Sequence, residues 1–470
     1  MKNDIKWQYI IIAGFSILYT ILGLHVGIFW DNVLFVGQMG TYLYENGLWA
    51  WSTMPIDQYT SHPCLCGTYY AIVWRLFGRS LLVSHLATFP IVFGVLYQIW
   101  QLCAYFFAQR KEQLAAWVLV CASPTLCSHC VQLSQELFIL FFFFYALNSI
   151  LRKEHLHKAI ALCFLPLCSY RAMMLCAGLF FAEWGLSRLR SIPFWTWKSI
   201  GSYLGGIIVS ALYFIVRLHI FSGNATSMGY DDFFEYMSVG QIIYTIVRNT
   251  VVLVWRYLDF GQITIFIVIV TLLLLNKNEI THSDSVAKEL LICAILPVCV
   301  LLITSIFAAN QMGHHYFLPS FVLCILLSFY LLKYSKKAKV IYSVMLLSLL
   351  AGNLIVYPEK ISQGWQNSLA HLPYWSLRRQ AIEELDRRQI PMEETATFFP
   401  NEREIDFIEL NGDQRSFCPF TGEEEYVFYS SCYNPSDEEI DILHTQYEPL
   451  VTCRKGRVYV QVLQRANLNP

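Results

Sequence analysis

The chain has 470 residues, 56% of them hydrophobic and only 14% charged, with 33 Lys+Arg set against 34 Asp+Glu. A soluble globular protein carries about 25% charged residues, so most of this surface is made to face lipid. A net charge of −1 excludes a generally basic nucleic-acid binder, and the fifteen cysteines, mostly set in apolar runs, read as small hydrophobes rather than a disulfide framework.

An apolar run over 8–28 opens the chain and is longer than the core of a cleaved signal peptide. It ends at Trp30-Asp31-Asn32, where a carboxylate appears at once. A loop of roughly fifty residues, 30–81, follows, rich in Gly37, Gly40, Tyr42, Tyr44, Glu45, Trp49, Trp51, Asp57 and Tyr59 and closed by His62-Pro63. Cys64 and Cys66 in this loop could pair or stay free. Further apolar runs lie at 82–107, 114–131, 135–151, 158–171, 173–187, 200–221, 262–276, 288–309, 316–333 and 338–357. A bilayer needs about 20 apolar residues per helix, and these runs predict about eleven spans. The stretch 158–187 is too long for one helix and divides at Ser169-Tyr170-Arg171. Cys127 and Cys130 bracket His129 but lack a partner pair at zinc-site spacing.

Short cytoplasmic loops are enriched in Lys and Arg. With eleven spans, Arg110-Lys111, Arg152 to Lys158, Arg188 to Lys198, Lys277 to Lys288 and Lys333 to Lys339 all fall on one side with the amino terminus. The N-terminus is thus expected in the cytoplasm, and the loop 30–81 and everything after Tyr357 outside it. This count requires 241–260, which contains Arg248, Arg256 and Asp259, to lie as an amphipathic helix in the outer interface. After Tyr357-Pro358 charged runs and alternating segments begin. They predict a membrane domain over 1–357 and a small extracytoplasmic α+β domain over 358–470, with a helix over 376–389 and a strand near Arg457 to Leu463. An oxidising compartment would permit Cys418 to pair with Cys432, although no connectivity is readable. Asn224-Ala225-Thr226 is a sequon that matters only in a secretory-pathway host.

The chemistry-bearing residues crowd the outer face. Ionisable groups at membrane depth cost about 2.5–3.5 kcal/mol on insertion scales, so those retained tend to be functional or paired. Asp31 is such a group, against the bland reading of an interface anchor. Arg171, Arg248, Arg256 and His314-His315 supply cations on the same side. Snorkelling accounts for a lone Arg, and helix capping for the histidines. Together with an acid and an aromatic loop, however, they suggest a site for an anionic, lipid-linked substrate, because the Arg fork matches two phosphate oxygens.

At these residues the chain resembles the GT-C integral-membrane glycosyltransferases, and among them the protein O-mannosyltransferase-like group that includes the aminoarabinose lipid A transferases. Three features carry the resemblance: the acid and Gly/Tyr-rich segment from Asp31 to Gly47, His62-Pro63 followed by Tyr69-Tyr70 and Leu76-Phe77-Gly78, and His315-Tyr316-Phe317-Leu318-Pro319. It covers roughly residues 5–330. Many members carry two adjacent acids where this chain has Asp31-Asn32, so only Asp31 carries over.

The resemblance implies a sugar transferred from a polyprenyl-phosphate donor to a lipid or glycan acceptor, with inversion in one displacement. Asp31 would be the base, Arg171, Arg256 and His315 would hold the donor phosphate, and His62, Asp57 and Tyr59 would contact the sugar or shape the loop. No cofactor is firmly implied. A divalent metal is left open, with Asp57 or Asp231-Asp232 compensating for the missing second acid. A bacterial inner membrane is the expected location. A lipid-linked saccharide polymerase or ligase would place its largest outer loop late in the chain, and a transporter or flippase would show internal repeats; neither pattern is present in the sequence.

Overall fold

The computed structural model describes residues 6–55, 62–220, 238–308 and 312–466. Asp57, Tyr59, Asn224 and Asp231-Asp232 lie outside the described residues.

The first helix, Lys6–Gly23, stops well short of the predicted residue 28. The backbone beyond it is engaged elsewhere: His85 Nε2 lies 2.7 Å from the Val26 carbonyl, Arg379 donates to the His25 carbonyl at 2.6 Å, and Ile28 N–H donates to the Ile408 carbonyl at 2.9 Å. Among the described residues six helices are long and apolar enough to cross a membrane, or eight if each of two bent pairs is one span. Three shorter apolar helices, Trp7–Gly23, His155–Leu167 and Ala338–Gly352, accompany them. Their exposed faces are aliphatic, for example Ile10, Ile17 and Ile21 on the first helix and Ile207, Leu212 and Ile215 on Trp197–Ile220. Such contiguous apolar surface is that of a lipid-facing protein. The chain is a multi-pass membrane protein.

The breaks have local causes. The predicted 114–131 span is two helices, Arg110–Cys121 and Pro124–Val131, bent by 71°. Pro124 occupies the first turn of the second helix, where its missing N–H costs nothing, and it bars the first from continuing. The predicted division near Ser169 is present: the Ser169 hydroxyl accepts from the Ala172 N–H and caps Tyr170–Leu189. Val239–Leu258 meets Ile263–Leu275 at 93°.

The loop 30–81 is more ordered than its composition suggests. A π-helical turn, Val33–Gln38, leads into Met39–Asn46, and an apolar helix, Leu65–Phe77, precedes Leu81–Phe106.

The C-terminal part holds a five-stranded mixed sheet. Its strands are β1 Thr395–Thr397, β2 Cys418–Pro419, β3 Tyr426–Ser430, β4 Tyr447–Lys455 and β5 Val458–Arg465, in the order β2-β1-β3-β5-β4. The β1 pairings are parallel, and β3–β5 and β4–β5 antiparallel. Helix Leu372–Arg388 packs on β4 and β5. Its inner face carries Trp375 against Gly27, and the Phe407 carbonyl approaches Gly37 so closely that any Cβ at either glycine would clash. One apolar core therefore runs from the bundle through Phe29, Tyr374 and Trp375 into Val427, Val460 and Val462. Cys418, Cys432, Cys64 and Cys66 are free thiols.

Candidate active site

Asp31 is delivered by an unusual turn. Trp30 has φ 50°, in the left-handed region that costs a bulky residue of order 1–3 kcal/mol and that persists where the surroundings over-determine it. Its ring packs against Phe29 and Phe399. The π-helical turn begins at Val33, two residues after Asp31, a local form frequent at functional sites. Asn32, standing where the resemblance leads one to expect a second acid, holds the backbone: its Oδ1 accepts the Gln135 N–H at 3.2 Å and its Nδ2 donates to the Phe29 carbonyl at 3.2 Å. Asn32 thereby fixes the start of helix Gln135–Arg152 beside Asp31.

That helix start brings Glu136, which the sequence reading passed over. Glu136 Oε1 accepts from Arg171 Nη2 at 2.7 Å, with side chains only 7% and 12% exposed. Arg171 lies on the first turn of Tyr170–Leu189, and its Cζ sits 3.6 Å from the centre of the Tyr316 ring. The same guanidinium acts on Asp31. Burial pushes the Asp31 carboxyl above the ordinary carboxylate value, opposed by Arg171 and by a hydrogen bond from Gln366.

Gln366 comes from beyond the predicted domain boundary. Two short turns, Trp365–Asn367 and Leu369–His371, form a strap over helix Pro124–Val131. Gln132 Nε2 donates to the Gln366 carbonyl at 3.0 Å and Ser128 Oγ donates to the Ser368 carbonyl at 3.1 Å. The Gln366 amide reaches His315 Nδ1 at 3.3 Å, and the His315 ring lies 5.4 Å from that of His129. His129 Nδ1 is 2.7 Å from the Ser134 hydroxyl, and Cys127 Sγ donates to the Cys121 carbonyl at 3.0 Å, so the C-x-x-C stretch serves packing.

Of the residues singled out in the sequence, Asp31, Arg171 and His315 therefore share one buried polar cluster. His62 stands at its edge, its ring 5.3 Å from Phe35 and 5.0 Å from Tyr170. Burial, and the nearby Arg171 and Arg217, depress its imidazole to about 3, so it is neutral at ordinary pH. Arg256 belongs to a neighbouring group. It reaches the Met312 carbonyl at 3.4 Å and lies near Asp259, which pairs with His314 Nε2 at 2.8 Å and accepts from the Tyr357 hydroxyl. Trp49 is 86% exposed, as a belt residue would be. Among the described residues no three of His, Cys, Asp and Glu converge on a common point as metal ligands. Asp31 and Glu136 face a common guanidinium.

No protein-family model and no curated protein matches this chain. The architecture itself is classifiable: a helical membrane bundle of GT-C type carrying a small C-terminal sheet. A solved structure with this fold is ArnT from Cupriavidus metallidurans bound to undecaprenyl phosphate, 10% identical, aligned over 96% of this chain and 97% of that one, with a TM-score of 0.51. The apo-state ArnT structure aligns over the same shares at 11% identity and a TM-score of 0.48. At these identities the likeness is one of fold.

Proposed function

We propose that the protein is a membrane glycosyltransferase that moves a sugar from a polyprenyl-phosphate donor to an acceptor at the outer face of a bacterial inner membrane. The observation that carries this reading is the buried group Asp31–Arg171–Glu136–Gln366, assembled in a GT-C-type fold. The neighbour's undecaprenyl phosphate supports a lipid-phosphate donor here.

The geometry supports the single inverting displacement that the resemblance implies. An acceptor hydroxyl or amine attacks the anomeric carbon as its bond to the donor phosphate breaks, inverting that carbon. The acceptor's proton passes to the Asp31 carboxylate, and the electron pair of the broken bond leaves with the polyprenyl phosphate. A carboxyl raised by burial is a stronger base than an exposed one, and Gln366 orients it. Arg171 spends one donor on Glu136 and, with five N–H donors in all, has others for phosphate oxygens where charge develops. Glu136 and the Tyr316 ring fix the plane of that fork. His315 lies beside it, and His62 shapes the entrance as a neutral ring.

The test is release of free polyprenyl phosphate from a panel of polyprenyl-phosphate sugars by protein in nanodiscs, with wild type beside Asp31→Asn. Wild type is expected to turn over one donor, and Asp31→Asn to be slower by about a hundredfold, within the range for loss of a general base. Equal rates would remove Asp31 from its role. Leaflet exchange of an intact lipid-linked sugar without donor consumption would replace the transferase by a transporter.

A further inference from the structure

At the opposite end of the bundle from Asp31, a cavity of ≈ 800 Å³ opens between the end of Leu81–Phe106 and the starts of Arg110–Cys121 and Ala338–Gly352. Its floor is apolar and aromatic, with Phe107, Phe329 and Tyr342. Its rim carries Lys111, Lys333 and Lys339 against the single acid Glu112. The lysines differ in their engagement. Lys333 is committed: its ammonium lies 2.7 Å from Asp284 and donates to the Tyr330 hydroxyl at 2.7 Å. Lys111 and Lys339 are exposed, and among the described residues neither enters an ion pair. With Asp284 neutralising Lys333 and Glu112 offsetting one more charge, the rim keeps one positive charge in excess. Both unengaged lysines also sit in the first turn of a helix, where the backbone is already electropositive. A bound anion would relieve that arrangement.

We infer that this cavity is a binding site for an anionic glycerophospholipid, its phosphodiester at Lys111 and Lys339 and its chains along Phe107, Phe329 and Tyr342. Charge and shape both select this occupant. A phosphodiester carries the one negative charge that the rim lacks. The volume falls in the range of ligand sites, about 300–1,000 Å³, and its aromatic floor suits acyl chains. Basic pockets between membrane helices hold anionic headgroups by the same physics. The site is separate from the proposed transferase chemistry and does not depend on it. The bland reading is that these lysines merely belong to two basic connections that orient the chain. Lys336 and Lys337 provide the contrast, since they lie just before Lys339, are exposed and do not line the cavity.

Native mass spectrometry of the whole chain in detergent, titrated with phosphatidylglycerol or with phosphatidylcholine of the same acyl chains, tests the site. Wild type is expected to bind one phosphatidylglycerol, in preference to phosphatidylcholine. Lys111→Gln/Lys339→Gln should weaken phosphatidylglycerol by about tenfold or more, and Lys336→Gln/Lys337→Gln by much less. Lys111→Arg/Lys339→Arg should retain binding, showing that loss in the Gln pair is not loss of fold. Equal affinity for the two lipids would overturn the site. Equal loss in both Gln pairs would reduce it to loop charge. Displacement of the lipid by millimolar inorganic phosphate would make it a soluble-anion site instead.

Discussion

At the scale of single residues, the cluster is organised by competition for one guanidinium. Arg171 is shared by Glu136, Asp31 and the Tyr316 ring. Its pull on the Asp31 carboxyl is opposed by burial, and burial wins, so Asp31 is held above the ordinary carboxylate value. Glu136→Gln tests this balance. Removing that negative charge leaves Arg171 less neutralised and takes away a repulsion that favours the protonated form of Asp31. The pKa of Asp31 must then fall. If Asp31 is the base, it is active only when deprotonated, so activity rises with pH through its pKa. The acid limb of the kcat/KM profile should therefore move to lower pH in Glu136→Gln, with a lower plateau from a weaker base. An acid limb that stays in place would mean that another group sets it. The sequence showed Asp31 and Arg171 because an acid and a base at the ends of apolar runs stand out against lipid. Glu136 was as exposed to that logic, since it too begins an apolar run. It went unnoticed because its partner is thirty-five positions away and pairing is not visible in one dimension.

At the scale of elements, the helices were legible and their ends were not. Hydropathy places the runs, but an end is decided by what takes the freed carbonyls and N–H groups. The first helix gives up its last turn because Ile408, Arg379 and His85 bond to residues 25–28. Leu65–Phe77 was hidden within a segment read as loop because thirteen residues are too few to signal a span. The strap over 365–371 escaped for a different reason: it has no periodicity at all, and what places it is long-range contact, including the hydrogen bonds from Ser128 and Gln132. Gln132 gives it a specific weakness. Gln132→Leu deletes the donor to the Gln366 carbonyl and the bond to the Ser128 hydroxyl at 2.8 Å. A net hydrogen bond is worth about 0.5–1.5 kcal/mol, so the fold should stand while the strap loosens. Hydrogen exchange in peptides covering 363–371 should speed up by about tenfold, and transfer activity should fall in parallel as Gln366 loses its register on Asp31. Faster exchange with unchanged activity would take Gln366 out of the reaction.

At the scale of the molecule, the question is whether the C-terminal part is a domain or a lid built into the bundle. The change of composition at Tyr357-Pro358 suggests two units. The interface argues for close coupling. Arg79, just before Leu81–Phe106, donates to Asp406 Oδ2 at 2.6 Å, to the Asp406 carbonyl at 3.3 Å and to the Thr41 hydroxyl at 2.8 Å. The two ionic side chains are only 12% and 10% exposed, and the Arg79 guanidinium lies 5.5 Å from the Trp74 ring centre. Removing one partner of a buried pair costs about 3–5 kcal/mol, because the other charge stays buried. Asp406 keeps a bond from the Gly412 N–H at 2.6 Å, which softens that loss. Arg79→Met preserves the aliphatic stem and deletes the charge. If residues 358–470 unfold on their own, calorimetry should show two transitions, with the C-terminal one left where it was. If the shared core of Phe29, Tyr374 and Trp375 couples them, a single transition should move to lower temperature as a whole. The continuity of that core, and the delivery of Gln366 into the Asp31 cluster from beyond residue 357, lead us to expect the single transition. In such a protein the C-terminal segment completes the proposed site, and loosening its dock should slow transfer even though Arg79 touches none of the reacting atoms.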